Sequence, residues 1–143
     1  VFENFLTTHN DWLGGPVTMS QGPIFQIESN MGFVSAVQEM LFTSRPGVLK
    51  LVPALPAEWE TGSVQGMQAR GGVSIKQLKW MKSGKAIKVT LESRKAQDLR
   101  IVLPSKIKSV SANGKDLGIR ATTDFSIKLP AATEGVLTIV LKD

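Results

Sequence analysis

Four carboxylates near the start of the chain, Glu3, Asp11, Glu28 and Glu39, are the first residues to weigh for chemistry. A pair of carboxyl groups, one protonated and one ionised, is what glycoside hydrolysis requires. Glu39 lies among helical apolar positions and reads as a solvated charge, the usual place for glutamate on a helix. Glu28 differs: Gln26 and Asn30 flank it, Phe25 and Ile27 lie beside it, and a helical pattern follows at once. Free amides and the helix dipole favour a carboxylate there, where it either caps the helix or orients a water molecule. His9 is the single histidine. His9-Asn10-Asp11-Trp12 reads as a hydrogen-bonded polar loop or as a sugar contact, with Trp12 stacking on a pyranose face. Nothing marks the nucleophile and orienting acid that a triad needs.

Other chemistries lack their residues. Cysteine is absent, which removes disulfides and thiolate metal sites, and neither a metal nor a cofactor is expected. Gly14-Gly15-Pro16 and Gly71-Gly72 lack the strand–loop–helix setting and the following lysine of a phosphate cradle. Trp59, Trp80 and Phe125 read as core or interface anchors, with an exposed carbohydrate platform as the alternative. Seventeen Lys and Arg against twelve Asp and Glu give a net charge of +5. The basic residues are scattered from Lys50 to Lys142 and mostly alternate with apolar ones, as on a solvated strand face, so nucleic acid is not expected as a partner. No apolar run is long enough to span a bilayer.

The elements that must position these residues divide near residue 60. Residues 1–30 are loop-like, broken at Gly14-Gly15-Pro16 and Gly22-Pro23. Phe33, Val34, Val37, Met40 and Leu41 recur at helical spacing, which predicts one amphipathic helix over Met31–Ser44, with Asn30 as N-cap and Arg45-Pro46-Gly47 as its stop. Its apolar face requires a partner, and exposed it would drive dimerisation. From Gly62 onward the period becomes two: Ile87, Val89 and Leu91; Leu99, Ile101 and Leu103; Leu137, Ile139 and Leu141. Val73 and Ile75 stand in one phase, Leu78 and Trp80 in the other, so a bulge or a bend is expected between them. Ser83-Gly84 and Asn113-Gly114 read as hairpin turns. Roughly seven such strands imply a mostly β chain, an antiparallel β-sandwich. The expected division is 1–47 loop and helix, 48–61 connector, and 62–143 sandwich.

An ordered set of short motifs runs through this frame: Phe25-Gln26-Ile27-Glu28-Ser29-Asn30-Met31-Gly32, then Glu39-Met40-Leu41, Leu51-Val52-Pro53-Ala54-Leu55-Pro56, Trp59, Gly62-Ser63-Val64-Gln65-Gly66 and Ala69-Arg70-Gly71-Gly72. In order and spacing, over about residues 23–80, it resembles the C-terminal end of glycoside hydrolase family 95, the α-L-fucosidase family. The resemblance implies that residues 1–47 are the last loop and helix of an (α/α)6 catalytic barrel whose remainder is the natural partner of this segment. It implies a parent that inverts terminal α-L-fucosides or related sugars outside the cytoplasm. There a glutamate elsewhere in the barrel is the general acid, and a carboxylate at the position of Glu28 orients the asparagines that activate water. Gln26, Asn30, His9 and Trp12 would then be substrate contacts. Glu28 stands where the family carries aspartate, one methylene shorter. A displacement of about 1 Å, following from ordinary bond lengths, can cost roughly a hundredfold in rate. On this reading the isolated chain does not hydrolyse glycosides.

Overall fold

The computed structural model describes the backbone of residues 27–82 and 85–142, with side chains from Met31 onward. The chain separates into two compact units, 1–38 and 39–143. What is described of the first is most of a single helix, α1, Ile27–Leu41. Within it Met31, Phe33 and Val34 are 64%, 40% and 65% exposed. The helix begins three residues before the expected N-cap Asn30, which therefore lies inside the first turn with Glu28. It also ends earlier than Arg45-Pro46-Gly47. At Phe42 the backbone passes directly into a strand, because Phe42 and Leu41 are needed in the sandwich core, where they are 1% and 5% exposed.

The second unit is a β-sandwich. Its strands are β1 Phe42–Arg45, β2 Val48–Leu51, β3 Thr61–Ala69, β4 Val73–Met81, β5 Ala86–Ser93, β6 Gln97–Val102, β7 Ile107–Ala112, β8 Lys115–Asp116, β9 Asp124–Leu129 and β10 Glu134–Leu141. Four form one sheet, in the order β1-β2-β6-β9, and six form the other, β3-β4-β5-β10-β7-β8. Every pair is antiparallel except β2–β6. More strands form than the sequence pattern reveals. β1 and β2 lie in 42–51, where helix and connector were expected, and Pro46-Gly47 turns a hairpin between them instead of stopping a helix.

Burial follows the period of two. On β6, Leu99 and Ile101 are buried while Asp98 and Arg100 are exposed. Leu49, Ile101 and Phe125 stand side by side across the small sheet; Leu78, Val89 and Leu137 do so across the large one. All belong to one continuous core. The phase change on β4 is a bulge: pairing with β5 slips between Ile75 and Gln77, so that Ile75 and Leu78 both reach the core. Asn113-Gly114, with both residues at positive φ, closes the β7–β8 hairpin as its sequence implies. Ser83-Gly84 lies outside the described residues; the flanking pair Met81–Ala86 is antiparallel.

Trp80 closes one end of this core. Its ring stacks on Trp59 with centroids 6.2 Å apart, and its indole N–H donates to the Trp59 carbonyl at 3.1 Å. Its cross-strand neighbour is Gly62. A Cβ at residue 62 would fall 2.1 Å from the indole ring, so only glycine leaves room for the ring to lie against β3. Gly62→Ala is therefore expected to displace the indole and cost about 1–3 kcal/mol, the usual range for overpacking. Urea denaturation followed by tryptophan fluorescence measures it. An unchanged midpoint would show that the ring is not fixed by this contact.

Candidate functional site

The residues proposed from sequence for catalysis and sugar contact are not brought together among the described side chains. His9, Trp12 and Gln26 lie outside the described residues. Glu28 and Asn30 are placed only as backbone, in the opening turn of α1. That turn carries the free amides and positive dipole end that favour an ionised carboxylate.

The described carboxylates are Glu39, Glu58, Glu60, Glu92, Asp98, Asp116, Asp124 and Glu134, and none is buried. A glycosidase's general acid depends on an environment that keeps it protonated, usually burial, so none of these has the setting of that acid. Three of them serve ion pairs: Glu92 with Lys76 at 2.5 Å, Asp124 with Arg100 at 2.8 Å and Asp116 with Arg120 at 2.6 Å. Hydrogen bonding to Glu92 raises the pKa of Lys76. The guanidinium of Arg120, helped by the Gly118 N–H, lowers Asp116 to about 2, and Arg120 is raised in turn. No group of three metal-ligating side chains stands together among the described residues.

What the motif residues do build is a junction between the two sheets. Three turns meet at one end of the sandwich, at 46–47, 70–72 and 94–96, joining β1 to β2, β3 to β4 and β5 to β6. The Arg70 N–H donates to Ser44 Oγ at 2.9 Å, and the Arg94 N–H to the Gly72 carbonyl at 3.0 Å. Gln97 Nε2 donates to the Gly71 carbonyl at 3.1 Å and to Ser93 Oγ at 2.5 Å. Ser93, fully buried, donates onward to the Lys95 carbonyl at 2.7 Å. Gly71 sits at φ +85°, and a Cβ there would come within 3.2 Å of Pro46 Cα. Ala69-Arg70-Gly71-Gly72 is thus a backbone fastening. Sequence reasoning identified this motif but not its partners Ser44, Ser93 and Gln97; the signal for them was two serines and a glutamine near strand ends, where burial demands a hydrogen bond.

At the opposite end, the Val52–Pro56 segment is fixed by backbone bonds to the last turn of α1. The Val52 N–H donates to the Leu41 carbonyl at 2.7 Å and the Ala54 N–H to that of Met40 at 3.4 Å. Lys82 Nζ donates to the carbonyls of Pro56 and Ala57. Buried Val52 adopts φ +45°, rare for a β-branched residue. Between this segment and the ends of β4, β5 and β10 lies a groove of about 480 Å³, lined by Val52, Pro53, Leu55, Trp80, Pro104 and Leu141 with lysines at its rim. Among the described residues it is lined by no acid, and so by no hydrolytic pair. The aromatic platform also fails to form: Trp80 and Phe125 are buried, at 9% and 8%, and Trp59 packs on Trp80.

Comparison with known proteins follows the motifs. The family model "Glycoside hydrolase family 95, C-terminal domain" matches residues 43–139. Alpha-L-fucosidase 2 of Arabidopsis thaliana is 47% identical over 81 residues, which are 56% of this chain and 9% of that protein. Probable alpha-fucosidase A of Aspergillus oryzae is 39% identical over 61 residues, 36% of this chain and 8% of that protein. The matched segments thus span less than a tenth of either relative. A solved GH127 β-L-arabinofuranosidase from Geobacillus stearothermophilus T6 aligns at TM-score 0.46 and 10% identity, over 99% of this chain and 23% of its own, too distant to carry an argument.

Two outcomes test the junction and the ion pairs. Gln97→Ala leaves the Gly71 carbonyl and the buried Ser93 hydroxyl without their donor and should cost about 1–3 kcal/mol, read from urea midpoints. Carboxyl NMR should place the titration of Asp116 near pH 2, and Arg120→Ala should raise it toward the ordinary carboxylate range, the Gly118 N–H still holding it below. Because the folded value lies below the unfolded one, the pair's contribution is intact above that range and is lost as pH falls through about 2.

Proposed function

Since this chain belongs to the family of glycoside hydrolase family 95 C-terminal domains, we propose that it closes a longer polypeptide that hydrolyses terminal α-L-fucosides or a related sugar with inversion. The match over residues 43–139 carries the reading, and the two fucosidase relatives supply the substrate class. In that polypeptide the sandwich is a brace and the chemistry belongs to the preceding barrel. Glu28, in the first helical turn of α1, is the carboxylate that orients the water-activating asparagines. Gln26, Asn30, His9 and Trp12 line the sugar. An inverting site needs space for water between acid and base, and a positioning carboxylate beside the base side fits that requirement. The exposed apolar side chains Met31 and Val34 of α1 are covered by other barrel helices, and without them they drive self-association.

The isolated chain, with no buried carboxylate among its described residues, is inactive. Purified 143-residue protein should release no p-nitrophenol from p-nitrophenyl α-L-fucoside; release above the uncatalysed rate overturns this. A polypeptide of the relatives' length ending in this chain should release it, and proton NMR should show the β-anomer of the sugar first. In that polypeptide Glu28→Gln should lower kcat by about a hundredfold or more with little change in KM. Glu28→Asp should retain activity. Full activity in Glu28→Gln would remove the residue from the mechanism.

A further inference from the structure

The outer face of the six-stranded sheet carries a rank of polar side chains that no interaction of the fold uses. Ser63 stands opposite Lys79, Lys79 opposite Lys88, and Lys88 opposite Thr138. The four are exposed and lie at one level on four neighbouring strands, about 4.8 Å from one strand to the next. They border a shallow depression of about 460 Å³, with Thr61 and Met81 on its other side. Gln65, Gln77 and Thr90 form the adjoining rank, again uncharged donors and acceptors.

The two lysines are a cost to the free domain. Like charges directly opposite on a sheet are destabilising. Elsewhere on these strands a lysine is matched, as Lys76 is by Glu92. Among the described residues neither Lys79 nor Lys88 reaches a carboxylate. An anion bound across them would remove the repulsion, and the hydroxyls and amides around them are the groups that meet sugar hydroxyls. The face offers no exposed aromatic ring for stacking a nucleobase, since Trp80 turns into the core. Its exposed apolar part is the neighbouring rank of Met81, Ala86 and Val140, at one side of the lysines.

We propose that this rank is a binding track for an acidic polysaccharide, its anionic groups held between Lys79 and Lys88 and its hydroxyls against Ser63, Thr138 and the glutamines. This rests on the glycosidase reading, which makes a glycan the anion at hand. The track lies on the sandwich and engages polymer, leaving the hydrolysis of small uncharged fucosides unaffected.

The test is affinity electrophoresis of the 143-residue protein in gels containing polygalacturonate, dextran sulfate, neutral galactan or single-stranded DNA. Polygalacturonate or dextran sulfate should retard the protein and galactan should not; the comparison of the first two tells carboxylated from sulfated polymer. Retardation should weaken with added salt. Lys79→Gln/Lys88→Gln should lower affinity by about tenfold or more, because two charge-assisted contacts are lost. Lys50→Gln/Lys128→Gln, which removes the same charge from the other sheet, should change it by less than about twofold. Single Lys79→Gln should raise the Tm of the free domain, separating loss of binding from loss of fold. Equal weakening in both double variants, unaltered binding in Lys79→Gln/Lys88→Gln, equal binding of galactan or of single-stranded DNA, or no retardation by either acidic polymer overturns the proposal. Any of these leaves the glycosidase reading standing, because that is decided separately by aryl-fucoside hydrolysis in the longer polypeptide.

Discussion

The side-chain amide of Gln97 joins the first strand of the small sheet's long return, β6, to the Gly71 carbonyl in a turn of the large sheet and to the buried hydroxyl of Ser93. A buried hydroxyl and a carbonyl at a turn must find donors and acceptors, or their lost hydration is uncompensated. That demand brings three turns to one place. It also explains the consecutive glycines there: a side chain at residue 71 would press on Pro46 and would have to tolerate φ +85°. With this end closed, the sheets are held where their inner faces can exclude water, and the core from Leu41 to Ile139 follows from ordinary apolar burial. Trp80 fastens the other end by the opposite means, a large ring filling space that Gly62 vacates.

Much of this frame was legible in the residues. The alternation on β5, β6 and β10, the phase slip on β4 and the Asn113-Gly114 turn are local signals, and each appears where its pattern places it. The first strand was not legible. Phe42–Arg45 continues the apolar spacing of the helix, and a four-residue strand has too few positions to declare a period of two against it. What decides the issue is non-local: β2 gains a neighbour in β6, far along the chain, and Phe42 gains a core position. The early end of the helix is the local price of that pairing. Its early start at Ile27 shows that a good capping residue does not preclude an earlier beginning.

The candidate site divides in the same manner. The motifs were visible as an ordered set, and they identify the family, but their physical roles differ from one another. Ala69-Arg70-Gly71-Gly72 and Gly62 are there for close backbone approach, and the Leu51–Pro56 stretch for tying a loop to the end of a helix. Only the stretch around Glu28 invites a chemical role. The aromatics, which composition alone leaves open between platform and core, are settled by the cross-strand position of Trp80 opposite a glycine. The lysine rank escaped sequence reading because Lys79 and Lys88 each look like an ordinary solvent-facing residue. Their juxtaposition depends on the register of the β4–β5 hairpin, which alternation does not give by itself.

The parallel pairing of β2 with β6, alone among the paired strands of the described residues, has a consequence for how the domain comes into being. Parallel neighbours cannot be joined by a tight hairpin, and here β3, β4 and β5 all lie between them. The loop that must close is long, and its entropy is spent before the contacts it makes can compensate. Hairpins of the large sheet, each closed by a short turn, can form early, while the small sheet waits for β6 to arrive and then for β9 to add beside it. During synthesis the β1–β2 hairpin, which emerges before the other strands of the sandwich, is thus among the last parts to be secured. In the interval its unpaired edge is open to pairing with another chain.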